Sequence, residues 1–202
     1  DSRAEDEYAE CLAKGRFALE QRPEFQLIET MLFAEGDGLF LLERHLARLR
    51  RSAAYFGFHL NEEPIRRALA ARTASLCGSH KVRLLLSRKG TFAIQCEAMA
   101  DDPSGASHPV AFARKRVDSR DPFIYNKTTH RPLYVAESAE RPDCIDLLFL
   151  NERDEVAEGA YHNIVVRMEG ELLTPPLESG LLPGVFREEL LERGEIRERG
   201  IT

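Results

Sequence analysis

The chain has 202 residues, 43% hydrophobic and 31% charged, the balance of a folded globular protein rather than a disordered or fibrous one. Its formal net charge of -6 supplies no basic field for a nucleic-acid backbone, which argues against nucleic acid as a partner. Cys11, Cys77, Cys96 and Cys144 lie far apart without paired spacing, so neither a disulfide framework nor a metal site is expected, and a reducing, cytoplasmic setting fits better. No apolar stretch approaches the ~20 residues of a membrane span and none reads as a signal peptide, so no membrane partner is expected.

In chain order, residues 4–20 read as a helix, with Tyr8, Leu12 and Phe17 near helical spacing and Arg22-Pro23 as its stop. Residues 25–33 form an apolar, β-rich run. The turn Glu35 to Gly38 then returns the chain into 39–42 as a hairpin. The spacing of Leu46, Leu49, Ala53 and Phe56 predicts a helix over 43–58 with one buried stripe. Asn61 is placed to cap a second helix running to residue 72, with Glu62, Glu63 and Pro64 in its first turn. Residues 81–87 and 91–98 read as a hairpin about Arg88-Lys89-Gly90, and 101–108 as a linker. Further strands are expected over 110–116, 145–151, 163–168 and 171–174, the last two joined by Glu169-Gly170. A loop rich in proline and glycine spans 175–184 and opens a helix over 185–193.

Three segments can carry chemistry. The first is the polar run Tyr125 to Arg131, which contains Lys127; by itself it reads as a surface lysine in a turn. The second holds Glu158 and Asn163, an acid and an amide five residues apart where a strand opens. In the third, Gly180, Leu181, Leu182, Pro183 and Gly184 run straight into a helix N-terminus. Free backbone N–H groups and the positive end of the helix dipole suit a phosphate there, although a loop leading into a helix is the plainer reading of this segment alone.

Together with His45, Leu46, Arg48, Leu49 and Ser52 in the first predicted helix, these segments resemble one family. They are similar, over about Phe25 to Arg187, to the pyridoxal-phosphate enzymes of fold type IV, also called class IV aminotransferases. That family includes branched-chain and D-amino-acid aminotransferases and aminodeoxychorismate lyase. The resemblance implies a mixed α/β (α+β) fold of the two-lobed D-amino-acid aminotransferase type. A linker helix from a preceding domain (1–22) would lead into a small α/β lobe (23–108), followed by a larger, β-rich, cofactor-binding lobe (109–202) whose C-terminal part would be missing from this chain.

Carried onto this sequence, the resemblance implies that Lys127 holds pyridoxal 5'-phosphate as a Schiff base and moves protons at the substrate. Glu158 would face the pyridine nitrogen, and Arg48 would pair with the phosphate. The backbone N–H groups of Val185 and Phe186, after Gly184, would cup the same phosphate; Leu182 would pack against the ring and Asn163 support the loop. Such chemistry needs a lysine of lowered pKa and an ionised carboxylate opposite the ring nitrogen. Thr30, Thr128, His130 and Arg131 are candidates for substrate carboxylates, with Arg131 equally readable as an exposed turn residue before Pro132. Ala160 stands where the family often has Ser or Thr.

Within the family, Lys127-Thr128-Thr129 with Arg131, and Ile28 to Met31, look most like the aminodeoxychorismate lyase domain fused behind para-aminobenzoate synthase component I. The implied small-molecule reaction converts 4-amino-4-deoxychorismate to 4-aminobenzoate and pyruvate, in a homodimer. A class IV amino-acid aminotransferase is the nearest alternative. A cofactor-free dimerisation domain is the other, against which the intact set of Lys127, Glu158 and Arg48 argues.

Overall fold

A computed structural model describes residues 23–99 and 107–202; the helix expected over 4–20, Cys11 and most of the linker expected over 101–108 lie outside the described residues. Strand β1 (Leu27–Ala34) turns Leu27, Glu29, Met31 and Phe33 to one face and Ile28, Thr30 and Leu32 to the other. It pairs antiparallel with the short β2 (Gly38–Leu39) and with β3 (His80–Leu86), which pairs in turn with β4 (Phe92–Ala98). The four-stranded order is β2-β1-β3-β4.

Helix α1 (Leu42–Phe56) lies on this sheet and buries His45, Leu46, Arg48, Leu49, Ser52 and Ala53, a stripe at helical spacing. Leu46 and Leu49 join Leu27, Met31, Val82, Leu84 and Leu86 in one core, each such side chain contributing roughly 1.5–3 kcal/mol through burial. The helix ends two residues earlier than its apolar spacing predicts. Gly57 takes a left-handed conformation, with φ of 67°, and its N–H bonds back to Ala53. Helix α2 (Glu62–Thr73) adds Ile65 and Leu69 to the core. Asn61 occupies its N-cap position but makes no capping hydrogen bond, so the acidic first turn is what complements the helix dipole.

The second half is built on two small sheets. In one, β5 (Val110–Phe112) runs parallel to β6 (Asp146–Leu150), which pairs antiparallel with β7 (Val156–Gly159). In the other, β8 (Val166–Met168) and β9 (Glu171–Thr174) form a hairpin through Glu169 and Gly170, both at positive φ. The short β10 (Arg197–Glu198) lies parallel to β9.

Three of the expected strands are cut short, that over 39–42 being reduced to Gly38–Leu39. The one predicted over 110–116 stops at Phe112 because the Arg114 and Lys115 N–H groups leave the ladder and donate to Glu137, at 2.7 and 3.2 Å. The one predicted over 163–168 begins only at Val166, since Asn163 is turned toward the 180s loop. Helix α3 (Pro132–Ala139) was not expected; it starts on Pro132, whose missing N–H costs nothing in a first turn. Helix α4 (Val185–Glu192) follows the proline- and glycine-rich loop.

The two halves are joined by backbone and by charge. Ile28 N–H donates to Lys127 O and Thr129 N–H to Gln26 O, each at 2.9 Å, so the lysine segment is laid along the start of β1. On the other side, Arg44 and Arg51 of α1 reach Glu189 and Glu188 of α4, at 2.8 and 3.3 Å. Among the described residues no helix is long and apolar enough to cross a membrane, and no cluster of His, Cys, Asp and Glu is arranged to hold a metal ion.

Candidate active site

A pocket of about 130 Å³, open at its mouth, lies between α3, the end of β7 and the loop before α4. Its wall contains Lys127, Thr128, His130, Arg131, Glu158, Asn163 and Leu182. These residues lie up to 55 positions apart in the chain, and the fold brings them to one cavity.

Lys127 is held on both sides. Its carbonyl is tied to β1, and its neighbour Asn126 accepts a hydrogen bond from Ser52 of α1 at 2.7 Å while donating to Pro122 O at 2.9 Å. The amine is half-buried by surface, yet closely surrounded by protein. Burial pushes its pKa down to about 8, helped by the positive charges of Arg48 and Arg131 and opposed by Glu29 and Glu158. An amine so placed is a better nucleophile near neutral pH than an exposed lysine.

Glu158 is buried at the pocket floor, where Tyr134 Oη donates to one carboxylate oxygen and Leu182 N–H to the other at 2.9 Å. Burial raises its pKa to about 6, and the two neutral donors hold it from rising further. At neutral pH it is therefore ionised; Arg131 and Lys127 act on it only through their charge, and no ion pair to it forms among the described residues, so it is suited to a proton-bearing ring nitrogen.

Asn163 donates to Leu182 O at 2.8 Å. Its amide oxygen lies so close to Gly184 that a Cβ there would meet it at 1.7 Å; only glycine admits this contact. Gly184 opens α4 without any side-chain cap, leaving the first-turn N–H groups, those of Val185 and Phe186 among them, without intrahelical acceptors. The Phe186 ring itself faces away and packs on Phe40, centroids 5.9 Å apart.

Arg131 is not a free turn residue. Its guanidinium donates to Ala160 O and lies 4.6 Å from the Tyr134 ring centroid and 5.7 Å from that of Tyr161. It thereby bridges the start of α3 to the loop after Glu158.

Of the residues expected at the site, Arg48, Thr30, Gly184, Val185 and Phe186 do not line the pocket. Arg48 is buried beneath the 183–184 turn, donating to Pro183 O at 3.1 Å. Glu29 grips it with two bonds of 2.9 and 2.6 Å and also meets His45 Nδ1 at 2.7 Å. Burial alone would raise the Glu29 pKa, but Arg48 and His45 outweigh it and hold the carboxyl below its usual range. Three N–H groups of Arg48 are used by these bonds, leaving about two of the guanidinium's five. Thr30 lies on the opposite face of β1 from Glu29.

Four residues of this region escaped the sequence reading: Glu29, Tyr134, Asp146 and His162. Glu29 had a signal, since a charge in the inward series Leu27, Glu29, Met31, Phe33 needs a buried partner. The other three meet their partners only through tertiary structure.

Pyridoxal phosphate fits what is present: an amine of lowered pKa, a buried carboxylate with no ion pair among the described residues, and an uncapped helix N-terminus beside a buried arginine. Together these features describe a pyridoxal-phosphate enzyme.

The comparisons specify the family. The model of the class IV amino-transferases matches residues 26–202, and the chain belongs to that family, whose members are pyridoxal-phosphate-dependent enzymes. It is 31% identical over 183 residues, 87% of this chain and 77% of the relative, to a Schizosaccharomyces pombe protein provisionally named an aminodeoxychorismate lyase. It is 28% identical over 158 residues to a Thermotoga maritima protein provisionally named a branched-chain-amino-acid aminotransferase, of whose length it spans 58%. A solved structure from Mesorhizobium loti, provisionally named an amino-acid aminotransferase, superposes with a TM-score of 0.83 at 34% identity, covering 89% of this chain and 88% of that one.

Proposed function

We propose that this chain is a lyase that converts 4-amino-4-deoxychorismate to 4-aminobenzoate and pyruvate, with Lys127 as the residue that carries pyridoxal phosphate. The observation that carries this reading is the pairing of Lys127 and Glu158 in one pocket, each with its pKa moved toward neutrality by burial. Preference for the lyase rests on the 31% identity to the Schizosaccharomyces pombe relative and on Arg131 and His130 beside Lys127, which suit a substrate bearing two carboxylates.

Bound pyridoxal phosphate supplies an electron sink for the carbon that carries the substrate amine. Lys127 Nζ takes the proton from that carbon. Glu158 keeps the ring nitrogen protonated, and Tyr134 and Leu182 N–H hold the carboxylate in place. Leu182 packs under the ring, while Asn163 locks the Leu182–Gly184 turn against movement. Val185 and Phe186 N–H, with the remaining donors of Arg48, hold the phosphate. Arg131, His130 and Thr128 orient the carboxylates. A homodimer and a preceding chorismate-using domain belong to the same proposal; sedimentation of the purified chain tests the first.

The protein mixed with pyridoxal phosphate is expected to develop a visible absorbance band, absent in Lys127→Ala. The band should form faster as pH rises through about 8, as the amine loses its proton. Activity should fall by about 10⁴-fold in the same variant. Supplied with 4-amino-4-deoxychorismate, the loaded protein should release equal amounts of 4-aminobenzoate and pyruvate. The second reading, a class IV aminotransferase, is favoured by the Mesorhizobium loti likeness. Turnover of an amino acid with a 2-oxo acid, and no 4-aminobenzoate, would establish it instead.

A further inference from the structure

The pocket mouth holds an acid–histidine pair that the proposed roles leave unused. Asp146, at the start of β6, is buried and lies under the loop that follows Glu158. Its carboxylate accepts Leu147 N–H at 2.8 Å, Tyr161 N–H at 3.2 Å and His162 Nδ1 at 2.7 Å. Two features make this a built arrangement rather than a surface ion pair. A Cβ on Gly159 would stand 2.6 Å from Asp146 Oδ2, so the residue directly after Glu158 must be glycine for the carboxylate to reach the histidine. The loop is also folded back on itself, with Gly159 N–H donating to His162 O at 2.8 Å, which returns His162 to the wall that holds Glu158.

An ionised, buried carboxylate can only accept, so Nδ1 carries the hydrogen of this bond and Nε2 is the nitrogen left for the pocket. The His162 side chain is 69% exposed, toward the mouth. Asp146 favours its charged form, raising its pKa, while burial and Lys127 oppose this.

We infer that His162, aimed by Asp146, is the general acid that protonates the departing enolpyruvyl oxygen, an inference that rests on the lyase reading above. The step balances. Lys127 Nζ takes the proton from the amine-bearing ring carbon, and the neighbouring ring carbon–oxygen bond breaks with its electron pair going to oxygen. That oxygen receives the proton of His162 Nε2, the ring becomes aromatic, and the released enol ketonises to pyruvate. Lys127 then loses a proton to solvent as His162 regains one.

The other charged or titratable groups facing this space have different commitments. Lys127 and Glu158 serve the cofactor, and Tyr134 is bound to Glu158. Arg131 is held by Ala160 O and lies over the Tyr161 ring, and the His130 ring packs on Phe123, centroids 4.6 Å apart. Asp118 and Asp121 accept hydrogen bonds from Arg120 and from Phe123 N–H.

The test compares wild type, His162→Gln and Asp146→Asn, each loaded with pyridoxal phosphate, over a range of pH. His162→Gln is expected to keep the absorbance band and melting temperature, to lose about 10²-fold in kcat, and to lose the alkaline limb of the kcat profile. Added imidazole should restore part of the rate in His162→Gly. In Asp146→Asn the limb should move to lower pH, as should the His162 imidazole titration followed by nuclear magnetic resonance without substrate. If wild type makes no 4-aminobenzoate, the lyase reading and this inference fall together. If wild type is active and His162→Gln retains both kcat and the alkaline limb, the inference alone is overturned. Loss of activity together with the bound-cofactor band would also overturn it, by marking His162 as structural.

Discussion

Two glutamates, both almost wholly buried, are tied to the 182–184 turn, Glu158 directly and Glu29 through Arg48, with opposite electrostatic fates. Glu29 meets Arg48 and His45, and its carboxyl is held below the ordinary range. Glu158 meets a tyrosine hydroxyl and a backbone N–H, and its carboxyl is pushed up to about 6. Burial is common to both, so the partner decides. A cation in contact repays desolvation, whereas neutral donors repay only part of it. The Glu29 side is a closed, self-neutralised support. The Glu158 side keeps an unspent negative charge for a ligand.

Removing the charge from the closed side should have the largest effect. Glu29→Gln leaves Arg48 buried without its carboxylate, and a loss of about 3–5 kcal/mol is expected. In thermal denaturation this corresponds to a fall on the order of 10 °C for a chain of this size. A variant that melts like wild type would show that Arg48 does not depend on Glu29.

Gly184→Ala strikes the turn to which both glutamates are tied. Its Cβ would overlap the Asn163 amide, and the strain should cost about 3 kcal/mol while moving Leu182 N–H away from Glu158. Adding Asn163→Ala to that variant should recover part of the loss in urea unfolding; no recovery would mean that the two residues do not couple.

Glu158 is tested by pH. Its folded pKa of about 6 lies above the ordinary 4.5, so the folded state binds the proton more tightly than the unfolded chain. Its stabilising contribution is full below 4.5 and is lost as pH rises through 6, an amount of about 2 kcal/mol. Without cofactor, Glu158→Gln should flatten that part of the stability profile, and an unchanged profile would contradict the raised pKa.

The smallest effect is expected at Arg44. Its bonds to Glu189 and Glu192 join α1 to α4 near solvent, where ion pairs contribute little. Arg44→Ala should lower the melting temperature slightly at low salt and not measurably at high salt. A large, salt-independent fall would show that this bridge shares the character of the Glu29 cluster.

Much of the fold was legible locally. The apolar stripe of α1, the alternation in β1 and the turn chemistry at Arg88 to Gly90 and at Glu169-Gly170 each announce an element through neighbours a few residues away. Helix α3 was not legible: it is short, lacks an apolar stripe and leaves Val135 exposed, so no periodicity marks it. The strand expected over 110–116 was overestimated because its pattern is right but its N–H groups are captured by Glu137, more than 20 residues further on.

Lys127, Glu158, Gly184 and Arg48 could be picked out because each sits in a recognisable block, and the order of the blocks carries the family resemblance. Arg48's grip by Glu29, the Tyr134 hydroxyl on Glu158 and the Asp146–His162 pair could not. By itself, the sequence determined the family and the secondary elements with strong periodicity, and it singled out Lys127 as the proposed reactive lysine, because those depend on residue type and short spacing. Tertiary structure alone decided which charges are neutralised and which stay available. That depends on burial and on partners 16 to 24 residues distant in the chain, and only the folded chain sets both.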